Sequence, residues 1–130
     1  MRVADTDVLI DYLAGSAEAA AARVGAELAR GTLRTTVVTR FELFAGARTP
    51  RQQEILRQFL AAVPALALDA AAADRAAEVR RELEARGEAI GMGDSLIAGI
   101  VLVHDGTLLT RNRRHFERVA DLRLAGPEGW

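Results

Sequence analysis

The hydrophobic positions of the chain follow two alternating patterns. Short runs of apolar and β-branched residues predict strands, whereas apolar residues spaced three or four apart predict helices. The predicted strands cover residues 2–5, 33–38, 64–68, 107–110 and 122–124. The predicted helices cover residues 6–15, 17–30, 40–47, 50–60, 70–86, 95–103 and 112–118. This alternation predicts an α/β fold with a mainly parallel sheet of four to five strands.

Length and composition add a domain count and a compartment. The chain has 130 residues, half of them apolar, which suits one hydrophobic core, so we expect a single domain over residues 1–130 with a loose tail at 126–130. There is no cysteine, and the longest apolar run, 96–103, is far short of the roughly 20 residues of a membrane span. We expect a soluble cytoplasmic protein without membrane contact.

Polar residues stand near the points where predicted strands end and helices begin. Asp5 ends the first strand, and Asp7 follows two residues later. Glu42 and Asn112 follow later strands, and Asp94 opens the helix before the fourth strand. Because parallel strands end at one edge of a sheet, where open α/β sheets bind their ligands, we expect these side chains to converge.

Each of these polar residues also has a purely structural explanation. Thr39 and Glu42 fit a capping box, in which the glutamate satisfies the backbone at the start of its own helix. Asp5, Asp94 and Asn112 each fit the N-cap of a helix. The sequence leaves the structural and the chemical explanation open for every one of them.

Three or four carboxylates at one edge would repel one another unless a cation neutralised them. A divalent cation is the simplest partner, and Mg²⁺ or Mn²⁺ suits a site of oxygen ligands without Cys or His. The two histidines, His104 and His115, have no partner at metal-ligand or catalytic-dyad spacing, so we expect each to have a surface or helix-terminal role.

The basic side chains suggest a polyanionic substrate. The chain has no lysine, so its 17 basic residues are all arginine, whose planar, permanently charged group suits phosphate. Four of them lie close in sequence to the polar residues at the strand ends: Arg40, Arg111, Arg113 and Arg114. We predict that these four contact the phosphates of a nucleic acid strand. The alternative is a charge bias that serves helix ends and solubility.

Four segments occur together in an order and spacing typical of one family. They are Asp5-Thr6-Asp7-Val8-Leu9-Ile10, Thr39-x-x-Glu42-Leu43 with Gly46, Gly93-Asp94-x-Leu96-Ile97-Ala98, and Leu109-Thr110-Arg111-Asn112-x-x-x-Phe116. In these segments, which span nearly the whole chain, the protein resembles the PIN-domain ribonucleases, and in particular the VapC-type toxins of toxin–antitoxin pairs.

The resemblance implies a three-layer α/β/α domain that cleaves RNA phosphodiester bonds with metal-activated water, using Mg²⁺ or Mn²⁺. It implies that Asp5, Glu42 and Asp94 are the catalytic, metal-binding carboxylates. It implies polar support from the residues around them: Thr6, Thr39, Thr110 and Asn112. It also implies a homodimer, inhibition by a cognate antitoxin protein, and a structured RNA such as tRNA or rRNA as substrate.

The sequence departs from the usual pattern of these toxins at two positions. Asp7 stands where they often have asparagine, and Asn112 stands where many PIN domains carry a fourth acid. An amide brings no charge, so we predict one firmly bound metal and a weaker second site. Asp7 and Asn112 would be the weaker metal ligands.

Other functions can be compared with this one. Asp5-x-Asp7 also fits haloacid-dehalogenase-like phosphatases and response-regulator receivers, but both need a lysine, which this chain lacks. The alternative that stays open is a catalytically weakened PIN-like module that binds RNA or a protein without cleaving it.

Overall fold

The computed structural model of the protein describes residues 1–126, in which strands and helices alternate along much of the chain. The strands are β1 (Arg2–Ala4), β2 (Leu33–Thr36), β3 (Ala65–Leu66), β4 (Thr107–Leu109) and β5 (Arg123–Leu124). The helices are α1 (Thr6–Leu13), α2 (Ala19–Arg30), α3 (Val37–Gly46), α4 (Pro50–Ala61), α5 (Ala70–Ala85), α6 (Met92–Val103) and α7 (Arg113–Phe116). Beyond Gly126 the predicted tail lies outside the described residues.

The five strands form one parallel sheet in the order β3-β2-β1-β4-β5. The prediction of a mainly parallel sheet is therefore confirmed. The chain leaves the central strand β1 for β2 on one side and later enters β4 on the other side. The winding direction thus changes between β1 and β4, which is where sheets of this kind leave a crevice at the carboxyl ends of their strands.

Helices cover both faces of the sheet. Successive residues of a strand point to opposite faces, and Val3 and Ala4 of β1 accordingly belong to different hydrophobic cores. Ala4 packs in a core with Leu9 of α1, and Val3 packs in a core with Val79 of α5 and Ile97 of α6. This arrangement confirms the three-layer α/β/α fold.

The packing of α6 on α5 depends on a glycine. A Cβ atom at Gly99 would lie 2.6 Å from the carbonyl oxygen of Ala72 and 2.7 Å from the Cβ of Ala76. Only a residue without a side chain allows the two helices to approach so closely. Gly99 therefore fixes the position of α6, the helix that carries Asp94.

A buried glutamate joins α2 to the sheet at the end away from Asp5. Glu27 is 4% exposed, and its carboxylate lies 2.9 Å from Arg23, 3.5 Å from Arg30 and 3.7 Å from Arg2. The Thr32 hydroxyl donates a further hydrogen bond to it. These partners compensate for the burial of a charged group.

Two predicted helix starts are wrong, and both errors concern candidate site residues. β2 ends at Thr36 rather than at residue 38, and the Thr36 hydroxyl accepts the backbone N–H of Thr39 at 3.1 Å, so α3 starts at Val37. The β-branched residues that predicted a longer strand thus form the first turn of a helix. Similarly, α6 starts at Met92, two residues before Asp94.

The remaining differences from the predicted boundaries are smaller. β3 is reduced to Ala65–Leu66, and α7 is a single turn, Arg113–Phe116, instead of residues 112–118. α2 starts at Ala19, and Ser16 contributes only a hydrogen bond accepted from the N–H of Glu18 at 3.2 Å. None of these changes alters the order of the elements.

Candidate active site

A small polar cavity, here called the acid cavity, lies beyond the carboxyl ends of β1 and β4. Its volume is ≈ 110 Å³. Its walls are formed by Asp5, Thr6, Asp7, Glu42, Asp94, Ile97 and Asn112. The structure therefore brings together all five polar residues for which the sequence predicted convergence, while their individual chemical roles stay predictions.

Asp5 directly follows β1, and hydrogen bonds join it to the end of β4 and to the start of α1. Its backbone N–H donates to the carbonyl of Leu109 at 3.2 Å, and its Oδ1 accepts the N–H of Val8 at 3.3 Å, which makes it the N-cap of α1. Its Oδ2 accepts a hydrogen bond from the Thr110 hydroxyl. Asp5 thus combines the capping role with a place on the cavity wall.

The environment of Asp5 opposes its negative charge. Burial raises the pKa of its carboxyl to about 7; the hydrogen bonds from Thr110 and Val8 offset part of this effect, and the nearby charges of Asp7 and Asp94 add to it. An Asp5 carboxylate without a counter-charge is therefore unstable here compared with the same group in water.

Asp94 lies in the first turn of α6 and does not cap it. The N-cap is Gly91, which makes no side-chain cap hydrogen bond, so the capping prediction for Asp94 is wrong. Burial raises the pKa of Asp94, a contact with His115 counteracts this, and the charges of Glu42 and Asp7 raise it further. The start of the helix thus aims a partly buried carboxylate into the cavity.

Glu42 lies within α3, five residues beyond its first residue, so the predicted capping box with Thr39 is also wrong. Instead, Glu42 Oε1 accepts a hydrogen bond from the Thr6 hydroxyl at 2.5 Å, and Thr6 Oγ1 lies 3.2 Å from Thr39 Oγ1. Thr6 of α1 therefore holds the Glu42 carboxylate, and Thr39 of α3 contacts Thr6.

Asn112 connects β4 to Asp94. Its backbone N–H donates to the Thr110 hydroxyl at 2.9 Å, and its side-chain Nδ2 donates to Asp94 Oδ2 at 3.3 Å. It stands at the N-cap position of α7 without making a side-chain cap hydrogen bond, so the capping explanation fails for Asn112 as well.

His115 is a site residue that the sequence prediction missed. Its Nδ1 lies 2.9 Å from Asn112 Nδ2 and 3.7 Å from Asp94 Oδ2. His115 does lie at the surface, with 44% of its side chain exposed and in the last turn of α7, but the sequence did not predict its polar partners. The signal was the spacing of three residues from Asn112 within one helical turn.

Arg111 lies next to the acids. It lines a second cavity of ≈ 640 Å³ together with Asp7, Glu18 and Asn112, so this cavity shares two residues with the acid cavity. Its Nε lies 2.9 Å from Asp11 Oδ2, but the N–H does not point at that oxygen, which has no hydrogen-bond partner. We regard this contact as a charge interaction.

The other three arginines of the predicted set have different surroundings. The Arg40 guanidinium lies 5.1 Å from the centre of the Phe44 ring, in a cation–π contact. Arg113 donates to the carbonyl of Ala125. Arg114 is exposed. The role of these arginines as phosphate contacts stays a prediction.

The acid cavity fits a hard divalent cation. Every polar atom contributed by its four acids and one amide side chain is oxygen, apart from the Asn112 amide nitrogen. Burial raises the pKa of Asp5 and Asp94, and the neighbouring acids raise it further. Within residues 1–126, no three Asp, Glu, His or Cys side chains lie close enough to hold an ion directly. Mg²⁺ usually keeps several waters and takes only one or two carboxylates, so a partly hydrated ion suits these side chains.

Comparison with known proteins identifies the class to which this fold and site belong. The family model of the PIN domain matches residues 2–122, and the chain is a member of the PIN-domain family. It is 36% identical over 125 residues to ribonuclease VapC10 of Mycobacterium tuberculosis, which covers 95% of this chain and 91% of the relative. It is 34% identical over 107 residues to the tRNA(fMet)-specific endonuclease VapC of Shigella flexneri, which covers 79% of each chain.

A solved structure with the same fold is VapBC2 from Rickettsia felis bound to a DNA fragment from its promoter. The TM-score is 0.83, the sequence identity is 25%, and the match covers 95% of this chain and 96% of the other. No helix within residues 1–126 is long and apolar enough to cross a membrane.

Proposed function

We propose that the protein is a divalent-metal-dependent endoribonuclease, the toxin of a toxin–antitoxin pair, that acts in the cytoplasm with Mg²⁺ or Mn²⁺. The observation that carries this proposal is the acid cavity. It unites four carboxylates at the winding change of the sheet, in a chain whose relatives are named VapC ribonucleases. Because the side chains of Glu42, Asp94 and Asn112 do not cap their helices, an ion site is the simplest reason for their convergence.

Asp5, Glu42 and Asp94 would hold the cation, with Asp7 and Asn112 as weaker ligands. When bound, a divalent cation supplies positive charge that stabilises the developing charge on a phosphate, and it makes water more acidic. This chemistry suits hydrolysis of an RNA phosphodiester bond. It also accounts for the absence of any Cys, Lys or Ser nucleophile at the site.

The polar residues around the carboxylates would act by orienting them. Thr6 holds Glu42, and Thr110 holds Asp5 while it accepts the N–H of Asn112. Asn112 in turn holds Asp94. These links restrict the rotation of three carboxylates before an ion or a substrate arrives, so less ordering is needed when binding occurs.

Substrate and partners are proposed from the arginines and the relatives. Arg111 is the best placed of the predicted phosphate contacts, because its cavity adjoins the acids. The Shigella flexneri relative is named as a tRNA(fMet) endonuclease, so we propose a structured RNA such as tRNA as substrate. We further propose a homodimer, and inhibition by an antitoxin protein, since the Rickettsia felis structure is a VapBC complex.

A module that binds RNA or protein without cleaving it is the second candidate. The observation in its favour is Asn112, which brings an amide to the cavity where many PIN domains have a fourth acid. The Asn112 amide donates a hydrogen bond to Asp94. This contact also suits the nuclease, in which the remaining acids bind an ion.

The two candidates are separated by a cleavage assay. The protein, purified free of antitoxin, is incubated with total tRNA or rRNA and Mg²⁺, Mn²⁺ or EDTA, beside Asp94→Asn. Asp69→Asn is the matched control, because Asp69 caps α5 outside the acid cavity. We expect metal-dependent cleavage by the parent and the control only. Equal cleavage by all three proteins, or none by the parent on either RNA, would reject the nuclease proposal.

A further inference from the structure

An apolar groove lies directly beside the acid cavity. Its volume is ≈ 430 Å³, within the range of small-ligand pockets, roughly 300–1,000 Å³. Phe41, Met92 and Leu68 line it and are 71%, 67% and 37% exposed. The first two values are the highest among the large hydrophobic side chains described. Two such residues side by side on the surface call for an explanation.

The groove and the acid cavity adjoin at one residue. Glu42 lines both of them. Gly93 also lines the groove, and a Cβ atom there would lie 3.4 Å from Glu42 Oε2, so the glycine backbone lies close to this carboxylate. Phe41 directly precedes Glu42 on α3, and Met92 lies two residues before Asp94 on α6. The same two helices therefore position both the carboxylates and the exposed apolar side chains.

We propose that this groove binds an unstacked nucleobase of the RNA, adjacent to the phosphate at the acid cavity, with Phe41 as the stacking surface. The inference rests on the proposed function, because it takes RNA to be the molecule that is cleaved there. Proteins commonly recognise single-stranded RNA by stacking its bases on exposed aromatic side chains. Phe41 is therefore a specificity-determining residue, and Met92 is the apolar contact beside it.

The apolar groove and the cavity lined by Arg111 differ in charge, so they suit different parts of a nucleotide. The charged side chain that lines the groove is Glu42, which repels phosphate but leaves the apolar walls free for a base. The cavity with Arg111 meets the acid cavity instead at Asp7 and Asn112. The base thus faces the groove, while the sugar–phosphate chain lies along the polar side.

Binding measurements test the role of Phe41. The probe is a fluorescein-labelled, single-stranded oligoadenylate, and the parent is Asp94→Asn in Mg²⁺, so that binding is measured without hydrolysis. Adding Phe41→Ala should weaken binding roughly 5- to 150-fold, which corresponds to the ~1–3 kcal/mol of one base–aromatic stack. Phe41→Trp should restore the affinity. The matched control is Val103→Ala, since Val103 is exposed at the far end of the same helix as Met92, and it should change nothing.

The salt dependence separates stacking from a phosphate contact. Stacking releases no counterions, so the slope of log K against log[salt] should be the same for Phe41→Ala and its parent. The inference would be overturned if Phe41→Ala bound RNA as tightly as its parent, or if it altered the slope of log K against log[salt]. It would also be overturned if Phe41→Trp lost as much RNA affinity as Phe41→Ala.

A second copy of the chain is the competing occupant of the groove. Light scattering after size exclusion gives the molar mass of each variant. An unchanged molar mass for Phe41→Ala supports a nucleobase as the occupant. The inference is overturned if this substitution converts a dimer into a monomer in step with the loss of RNA binding.

The two proposals can fail separately. If RNA binding depends on Phe41 but the protein cleaves no RNA, only the proposed function is rejected. If the protein cleaves RNA with metal but Phe41→Ala binds RNA as tightly as its parent, only this inference is rejected.

Discussion

Replacing Asp5 by asparagine should stabilise the metal-free protein at neutral and alkaline pH. Asp5 is 5% exposed, and burial, reinforced by Asp7 and Asp94, raises its pKa from 3.8 to about 7. Asparagine has nearly the same shape and can still accept the N–H of Val8. It removes a buried charge for which residues 1–126 provide no partner cation.

The magnitude follows from linkage. A pKa that rises from 3.8 in the unfolded chain to about 7 in the folded protein corresponds to about 4 kcal/mol. Below pH ~4 Asp5 is protonated in both states and costs nothing. Between pH ~4 and ~7 only the unfolded state loses the proton, so the stability of the parent falls as the pH rises. Above pH ~7 the full cost is present.

The assay is urea unfolding of parent and Asp5→Asn in EDTA from pH 4.5 to 8.5. The variant should gain up to about 4 kcal/mol over the parent across this range, with little difference at the acid end. Asp69→Asn controls for the loss of an N-cap carboxylate, because Asp69 accepts the N–H of Ala72 in the same arrangement. Asparagine and aspartate cap about equally well, so this variant should stay close to the parent.

Adding Mg²⁺ should reverse the order of parent and Asp5→Asn. The folded parent binds the ion and gains stability with its concentration, whereas the variant has lost a ligand and gains less. The reasoning would be refuted if Asp5→Asn were less stable than the parent at pH 8 in EDTA. A stability difference that did not vary with pH would refute it as well.

Three further substitutions test other parts of the structure. Asp94→Asn should abolish RNA cleavage without loss of stability, because Asp94 does not cap α6; a cost of about 1 kcal/mol with intact cleavage, in paired nuclease and urea assays, would restore the capping explanation. Gly99→Ala should cost about 1–3 kcal/mol and lower the Tm, because the new methyl group would meet the Ala72 carbonyl at 2.6 Å; an unchanged melting curve would contradict this close packing. Glu27→Gln should cost about 1.5–3 kcal/mol in urea unfolding, because three arginines lose a charged partner; a neutral result would mean that solvent holds them equally well.

The element order and the convergence of the acids were predictable because both follow from local patterns. Asp5 ends an apolar run and begins a helical one, and the rule that parallel strands end at one edge then gathers Glu42 and Asp94 near it. These inferences need only the order of the elements, so errors of a few residues at the boundaries do not affect them.

What the sequence could not decide was which of two local interactions each side chain makes. Thr36 and Thr39 both fit an N-cap, and the choice between them depends on where the β2 ladder stops, which is set by its short partner strand β3. The contact between His115 and Asp94 could not be predicted, because the two residues are 21 positions apart and meet only through the packing of α6 beside β4. Contacts of this kind are tertiary in origin.

The hydrogen bond from Thr110 to Asp5 joins residues that are 105 positions apart. A growing polypeptide carries Asp5 and Glu42 long before it contains β4, which begins 13 residues after Asp94, and until then the central strand β1 lacks one of its two neighbours. The acid cavity therefore cannot be completed before β4 and Asn112 have been synthesised. Any cleavage that depends on this cavity would be absent from the growing chain until that point.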